Sequence, residues 1–123
     1  IPVIITETGV DDLVYNDFHI GKNCDITIVA GCGIACGSNK NEGHDGIHSF
    51  FIGENSKVTY IEKHYATGDG TGRRELNPVT NVTLKKNAYM AAAKNIVTAF
   101  NKRLIFLLFS INKHLYPAII MIR

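Results

Sequence analysis

A repeat constrains the fold of this chain more than any other feature. The segment Phe18-His-Ile-Gly-Lys-Asn-Cys-Asp-Ile26 aligns with Phe50-Phe-Ile-Gly-Glu-Asn-Ser-Lys-Val58, and both align with Val82-Thr-Leu-Lys-Lys-Asn-Ala-Tyr-Met90. Asn23, Asn55 and Asn87 fall 32 residues apart both times (55 − 23 and 87 − 55). Each copy reads as strand, tight turn, strand. Ile26, Ile28 and Ala30 alternate after the first turn, and Val58, Tyr60 and Glu62 after the second, at the period of a half-buried strand. Asparagine tolerates the left-handed backbone conformation and can bond its own backbone, so it suits a sharp corner. The small residues that follow, Cys24, Ser56 and Ala88, fit where stacked corners crowd. One strand–turn–strand unit cannot bury its inner face and needs a neighbour, so a period near 32 predicts a β-solenoid rather than an antiparallel meander.

Charge divides the chain. Of 13 Lys+Arg and 11 Asp+Glu, residues 1–90 hold 8 basic and all 11 acidic side chains, 8 − 11 giving −3, whereas residues 91–123 hold five basic residues and no acid. All 11 glycines lie at or before Gly72. These shifts predict a repeat-built core over 1–90 and a divergent basic, apolar tail over 91–123. In the tail Ala93, Ile96, Val97, Phe100, Leu104, Leu107, Leu108 and Ile111 step by three or four, which predicts a helix across one end of the solenoid, stopped by Pro117.

Composition excludes several classes. At 46% hydrophobic and 20% charged the chain is too apolar for intrinsic disorder, and 123 residues suit one small domain. A repeat region of net negative charge argues against nucleic-acid binding. The longest apolar run, Leu104 to Ile111 with Ser110 inside, falls well short of the roughly 20 residues of a membrane span. No secretory signal opens the chain, and the start at Ile1-Pro2 reads as a piece of something longer. A cytoplasmic location follows as the expectation. There the odd count of three cysteines favours reduced thiols, a metal or a reactive cysteine over disulfides.

Two glycine-rich stretches, Gly31–Gly46 and Gly68–Asn77, separate the copies and read as inserted loops, where chemistry usually sits. Cys32 and Cys36 are spaced C-x3-C, and His44 and His48 follow four residues apart. Thiolate and imidazole are the donors that zinc or an iron–sulfur cluster prefers, although buried free cysteines also occur as small hydrophobes. Cys24, at the small corner position, reads as structural. Glu62 and His64, two apart on a strand, share a face and could bind a metal or exchange a proton. Gly68, Gly70 and Gly72 resemble a phosphate cradle, but no Gly-Lys-Ser/Thr follows, and Asn77-Pro78 stands where a dinucleotide fingerprint needs a helix. A solvated turn is the better reading of these glycines. Asn81-Val-Thr83 has the letters of a glycosylation sequon, idle without a secretory context.

Three stretches carry a family resemblance: Gly43-His-Asp-Gly-Ile-His-Ser-Phe-Phe-Ile52, Lys57-Val-Thr-Tyr-Ile-Glu-Lys-His-Tyr65 and Gly70-Thr-Gly-Arg-Arg-Glu-Leu-Asn-Pro78. Together they resemble the SufB/SufD family of iron–sulfur cluster assembly proteins, in its shorter, single-type form. The resemblance covers roughly residues 3–90 and is strongest from His44 to Met90. It implies a right-handed parallel β-helix. It also implies a non-enzymatic scaffold role, with a SufC-like ABC-type ATPase and a second SufB/SufD-type chain as partners and a transient iron–sulfur cluster as cargo. Family members continue past the position of Met90 with further β-coils, whereas residues 91–123 depart from that pattern. In the SufB branch a cysteine closely follows the glutamate equivalent to Glu62, and here His64 takes that place. The candidate ligands of metal or sulfur are Cys32, Cys36, His44, His48, Glu62 and His64. Two other readings compete: a β-helix enzyme acting on polysaccharide, for which the strand faces offer few acids beyond Glu62, and a truncated solenoid without activity.

Overall fold

A computed structural model describes residues 1–98, 110–115 and 119–122, with side chains through residue 93. The described residues form ten strands: β1 (Pro2–Ile5), β2 (Asp11–Ile20), β3 (Asp25–Ala35), β4 (Glu42–Ile52), β5 (Lys57–Thr67), β6 (Arg74–Leu76), β7 (Val79–Leu84), β8 (Tyr89–Thr98), β9 (Ser110–Leu115) and β10 (Ile119–Ile122). They alternate between two parallel sheets, except that the consecutive β6 and β7 both pair with β4. One has the order β1-β3-β5-β8-β10 and the other β2-β4-β7-β9, with β6 also paired to β4.

The sequence period is the register of the central strands of these sheets. Asp11 pairs with Gly43 and Ile20 with Ile52, Asp25 with Lys57 and Ala35 with Thr67, each 32 residues on. Lys57 pairs with Tyr89 and Ala66 with Thr98 at the same offset. Side chains alternate in and out along each strand, so the inward rows of both sheets meet between them, the larger apolar cluster lying toward the asparagine corners. Phe50, Ile52, Val82 and Leu84 from one sheet pack there on Ala30, Val58, Tyr60, Met90 and Ala92 from the other. Phe18 stacks on Phe50 at 4.5 Å, and Phe50 meets Tyr60 at 4.8 Å. Burying a side chain such as Phe50 contributes about 2–3 kcal/mol.

The corners form as the asparagines predict. Asn23, Asn55 and Asn87 all have φ of 57°, in the left-handed region. Their side chains stack into a ladder, Asn87 Nδ2 donating to Asn55 Oδ1 at 3.0 Å and Asn55 Nδ2 to Asn23 Oδ1 at 3.3 Å. At the small position Ser56 is buried, accepting from the Cys24 N–H at 3.0 Å and donating to the Gly21 carbonyl at 2.7 Å.

Two expectations need correction. Gly31–Gly46 and Gly68–Asn77 are not insertions. Gly31 to Ala35 complete β3, Glu42 to Gly46 begin β4, and the segments between strands stack at the repeat offset: Thr71 Oγ1 donates to Asn39 Oδ1 at 2.8 Å, and the Arg73 N–H to Asn41 Oδ1 at 3.0 Å. The helix expected in the tail is absent where the tail is described. Ala93, Ile96 and Val97 lie in β8, and Ile111 lies in β9; Phe100, Leu104, Leu107, Leu108 and Pro117 fall outside the described residues. The ladder offered by β5 takes the β8 backbone, with Met90 and Ala92 on its inward face, and this tertiary pairing overrides a helical spacing. The strand ladder thus runs across Met90 without a break. No helix among the described residues is long and apolar enough to cross a membrane.

Candidate functional site

The interior is not apolar throughout. Continuing outward from Phe50 along β4, the inward positions are His48, Gly46, His44 and Glu42, and the two imidazoles are buried. On β5 the inward run Val58, Tyr60 gives way to Glu62 and His64, of which 0% and 1% is exposed. Stacking adds the matching residues of the preceding repeat: Asp12 beside His44, Asn16 beside His48, and Cys32 beside His64. Cys32, His44, Gly46, His48, Glu62, His64 and Pro78 thereby enclose one spot between the sheets, too small to hold a water molecule.

Glu62 is the hub. His48 Nε2 and His64 Nε2 each lie 3.4 Å from Glu62 Oε1, one imidazole from each sheet. These separations exceed the roughly 2.7–2.9 Å of a charge-assisted hydrogen bond. His44 is tied elsewhere, its Nδ1 lying 2.9 Å from Asp12 Oδ2. His48 Nδ1 is 3.3 Å from the Asn16 side-chain amide. Among the described residues His64 Nδ1 and Nε2 and His48 Nε2 make no hydrogen bond. Burial, then the Glu62 charge, pushes the Cys32 thiol from 9.0 up to about 11, so it stays protonated at neutral pH. The same two causes, in that order, raise the Tyr60 phenol.

Five of the six candidate ligands therefore come together: Cys32, His44, His48, Glu62 and His64. Cys36 does not join them. It packs with Ile5, Ile34 and Leu76 in a second apolar cluster, its thiol donating to the Glu7 carbonyl at 3.4 Å. Four residues of extended chain span about 13 Å, too far for Cys32 and Cys36 to share one ion. Burial, then the nearby Glu42, raises the Cys36 thiol as well. Cys24 stands at the corner, as its small-residue position predicts. An iron–sulfur cluster is ordinarily held by several thiolates, and this interior offers one, so the residues present do not fit a cluster held by this chain alone. Among the described residues no three His, Cys, Asp or Glu side chains stand ready-made as a metal-binding group.

Four further residues stand at the site beside the expected ligands. Asp12 and Asn16 follow from subtracting the repeat, 44 − 32 and 48 − 32, which places both under the histidines. Gly46 is needed for space: a Cβ there would lie 2.9 Å from His48 Nε2 and 3.7 Å from His44 Nε2. Pro78 closes the wall from the third repeat, at the offset of 32 from Gly46.

Comparison of the chain with protein-family models, with curated proteins and with solved structures finds no match.

Proposed function

We propose that this chain is a segment of a Suf-type scaffold for iron–sulfur cluster assembly, folded as a right-handed parallel β-helix. In this reading it is not an enzyme. It acts in the cytoplasm by assembling with a SufC-like ABC-type ATPase and with a second SufB/SufD-type chain, and it ligates iron or sulfur inside the coil. The observation that carries the reading is the convergence of Cys32, His48, Glu62 and His64 at one buried spot between the two sheets. Burying such groups costs several kcal/mol unless they are compensated, so a fold that needed only stability would fill these positions with aliphatic side chains. Three free cysteines also suit a reducing compartment. Since this interior supplies one thiol, a cluster in transit would take its other ligands from the partner chain.

Two measurements test the reading. Co-expression with an ABC-type ATPase of the Suf class should give a complex that co-purifies. Anaerobic reconstitution of that complex with iron and sulfide should then produce thiolate-to-iron absorption that weakens in Cys32→Ser. If no complex forms and no such absorption develops, the scaffold assignment is wrong.

A further inference from the structure

The interior cluster has the composition of a single-ion site rather than a cluster site. We infer that His48, Glu62 and His64, with Cys32 as fourth donor, form a site for one borderline divalent cation of the zinc, ferrous or cobaltous type. This deepens the scaffold reading and shares its cluster, but it requires neither the ATPase nor a second chain.

The donor set comes first. Two imidazoles, one carboxylate and one thiol are a combination that such cations favour over magnesium or calcium, which take oxygen. Distances come next. Bonds of about 2.0–2.1 Å at the tetrahedral angle place neighbouring donor atoms about 3.3–3.4 Å apart. Both imidazole nitrogens stand 3.4 Å from Glu62 Oε1, too long for a strong hydrogen bond and correct for two edges of such a coordination shell. His48 Nε2 and His64 Nε2 are buried, face that oxygen and make no hydrogen bond among the described residues. Cys32 pairs with His64 across the β3–β5 ladder, one strand spacing away.

The shell is not preset, so the ion must draw the side chains in. Gly46 supplies the room for this on β4, because its missing Cβ leaves the space beside His48 Nε2 clear. Asn16, at His48 Nδ1, is placed to orient that ring. With its amide turned to present the oxygen it would accept the Nδ1 proton and leave Nε2 free to ligate.

The test is a titration of the full, reduced chain with Co²⁺ alone, followed by visible absorption and calorimetry. The expected result is one Co²⁺ per chain, with d–d bands of four-coordinate intensity and a sulfur-to-cobalt band that Cys32→Ser removes. Glu62→Gln and His64→Gln should each weaken binding by at least about 10-fold, the lower bound for losing even a supporting group at such sites. His19→Gln, an exposed histidine on β2, should bind as wild type. Absence of saturable binding overturns the inference, as does unchanged affinity in both Glu62→Gln and His64→Gln. A sulfur band that survives Cys32→Ser overturns the fourth donor. Should either interior variant fail to fold by circular dichroism, ring ¹⁵N shifts of the wild-type histidines on adding Zn²⁺ decide. Shifts at His48 and His64 support the site, and shifts confined to other histidines overturn it. Cation binding without ATPase binding would leave this site standing while removing the scaffold.

Discussion

At the scale of single residues, chemistry here follows from burial more than from identity. Cys32 illustrates this: a glycine-flanked cysteine in the sequence suggests an accessible thiol, yet the folded chain leaves it 3% exposed beside Glu62. The consequence is a pH dependence with a definite sign. Between 9.0, where an ordinary thiol ionises, and about 11, where Cys32 does, the folded chain holds a proton that the unfolded chain has released. Stability therefore falls as pH rises through that window and is unaffected by this group below it. Urea midpoints taken from pH 8 to pH 11 should decline more steeply in wild type than in Cys32→Ala. Identical slopes would show that the thiol titrates normally in the fold. Asn55 is the opposite case, since its role was legible before any packing was known. A left-handed corner followed by a small residue is a local demand, and three copies make the demand visible.

At the scale of elements, the glycines sort by what lies beneath them. Gly68, Gly70 and Gly72 read as a solvated turn, and Gly68 and Gly70 are indeed exposed, with φ of 118° and 124°. The further reason for glycine is the neighbouring repeat. A Cβ at Gly72 would lie 1.7 Å from the Lys40 carbonyl oxygen, and one at Gly70 would lie 2.2 Å from that of Ser38. Gly31, within β3, would meet nothing within 4 Å. Gly72→Ala should thus cost about 2–4 kcal/mol in urea unfolding, because backbone must shift against backbone. Gly31→Ala should be neutral or stabilising by up to about 1 kcal/mol, through the lower entropy of its unfolded chain. Equal effects at the two positions would mean that the connecting segments do not stack as described. Over residues 91–98, the described start of the tail, the expected helix gives way to strand for a related reason. Spacing by three or four in a segment rich in Ala, Ile and Val is ambiguous, and the open edge of β5 resolved it toward strand.

At the scale of the whole molecule, stability should be graded along the stack. β4 and β5 each have parallel strands on both sides, whereas β2 is paired on one side only and its inward residues remain half-buried. Each repeat gains from its neighbours and little from itself, so opening should begin at the first repeat and reach the central one last. Native-state hydrogen exchange should find the slowest amides in β4 and β5, with those of β1 and β2 exchanging through smaller openings. Uniform protection across all strands would indicate a single cooperative unit instead.

The sequence by itself determined the period, the corners and the residues stacked on one another within a sheet. A constant offset of 32 residues, left-handed asparagines and strand alternation are local or strictly repeating properties, and together they require parallel stacking. Subtraction of that offset places Cys32 beside His64, and Asp12 and Asn16 beside the two histidines of β4. Only the tertiary structure decided which residues meet across the core. His48 reaches Glu62 because one sheet lies over the other, a relation that no spacing along the chain encodes. The same packing sent Cys36 into a separate apolar cluster although its spacing from Cys32 suggested a shared ligand set. Stacking within a sheet is set by backbone hydrogen bonds that repeat with the sequence, while contact between sheets is set by how side chains of many different sizes fill the space between them.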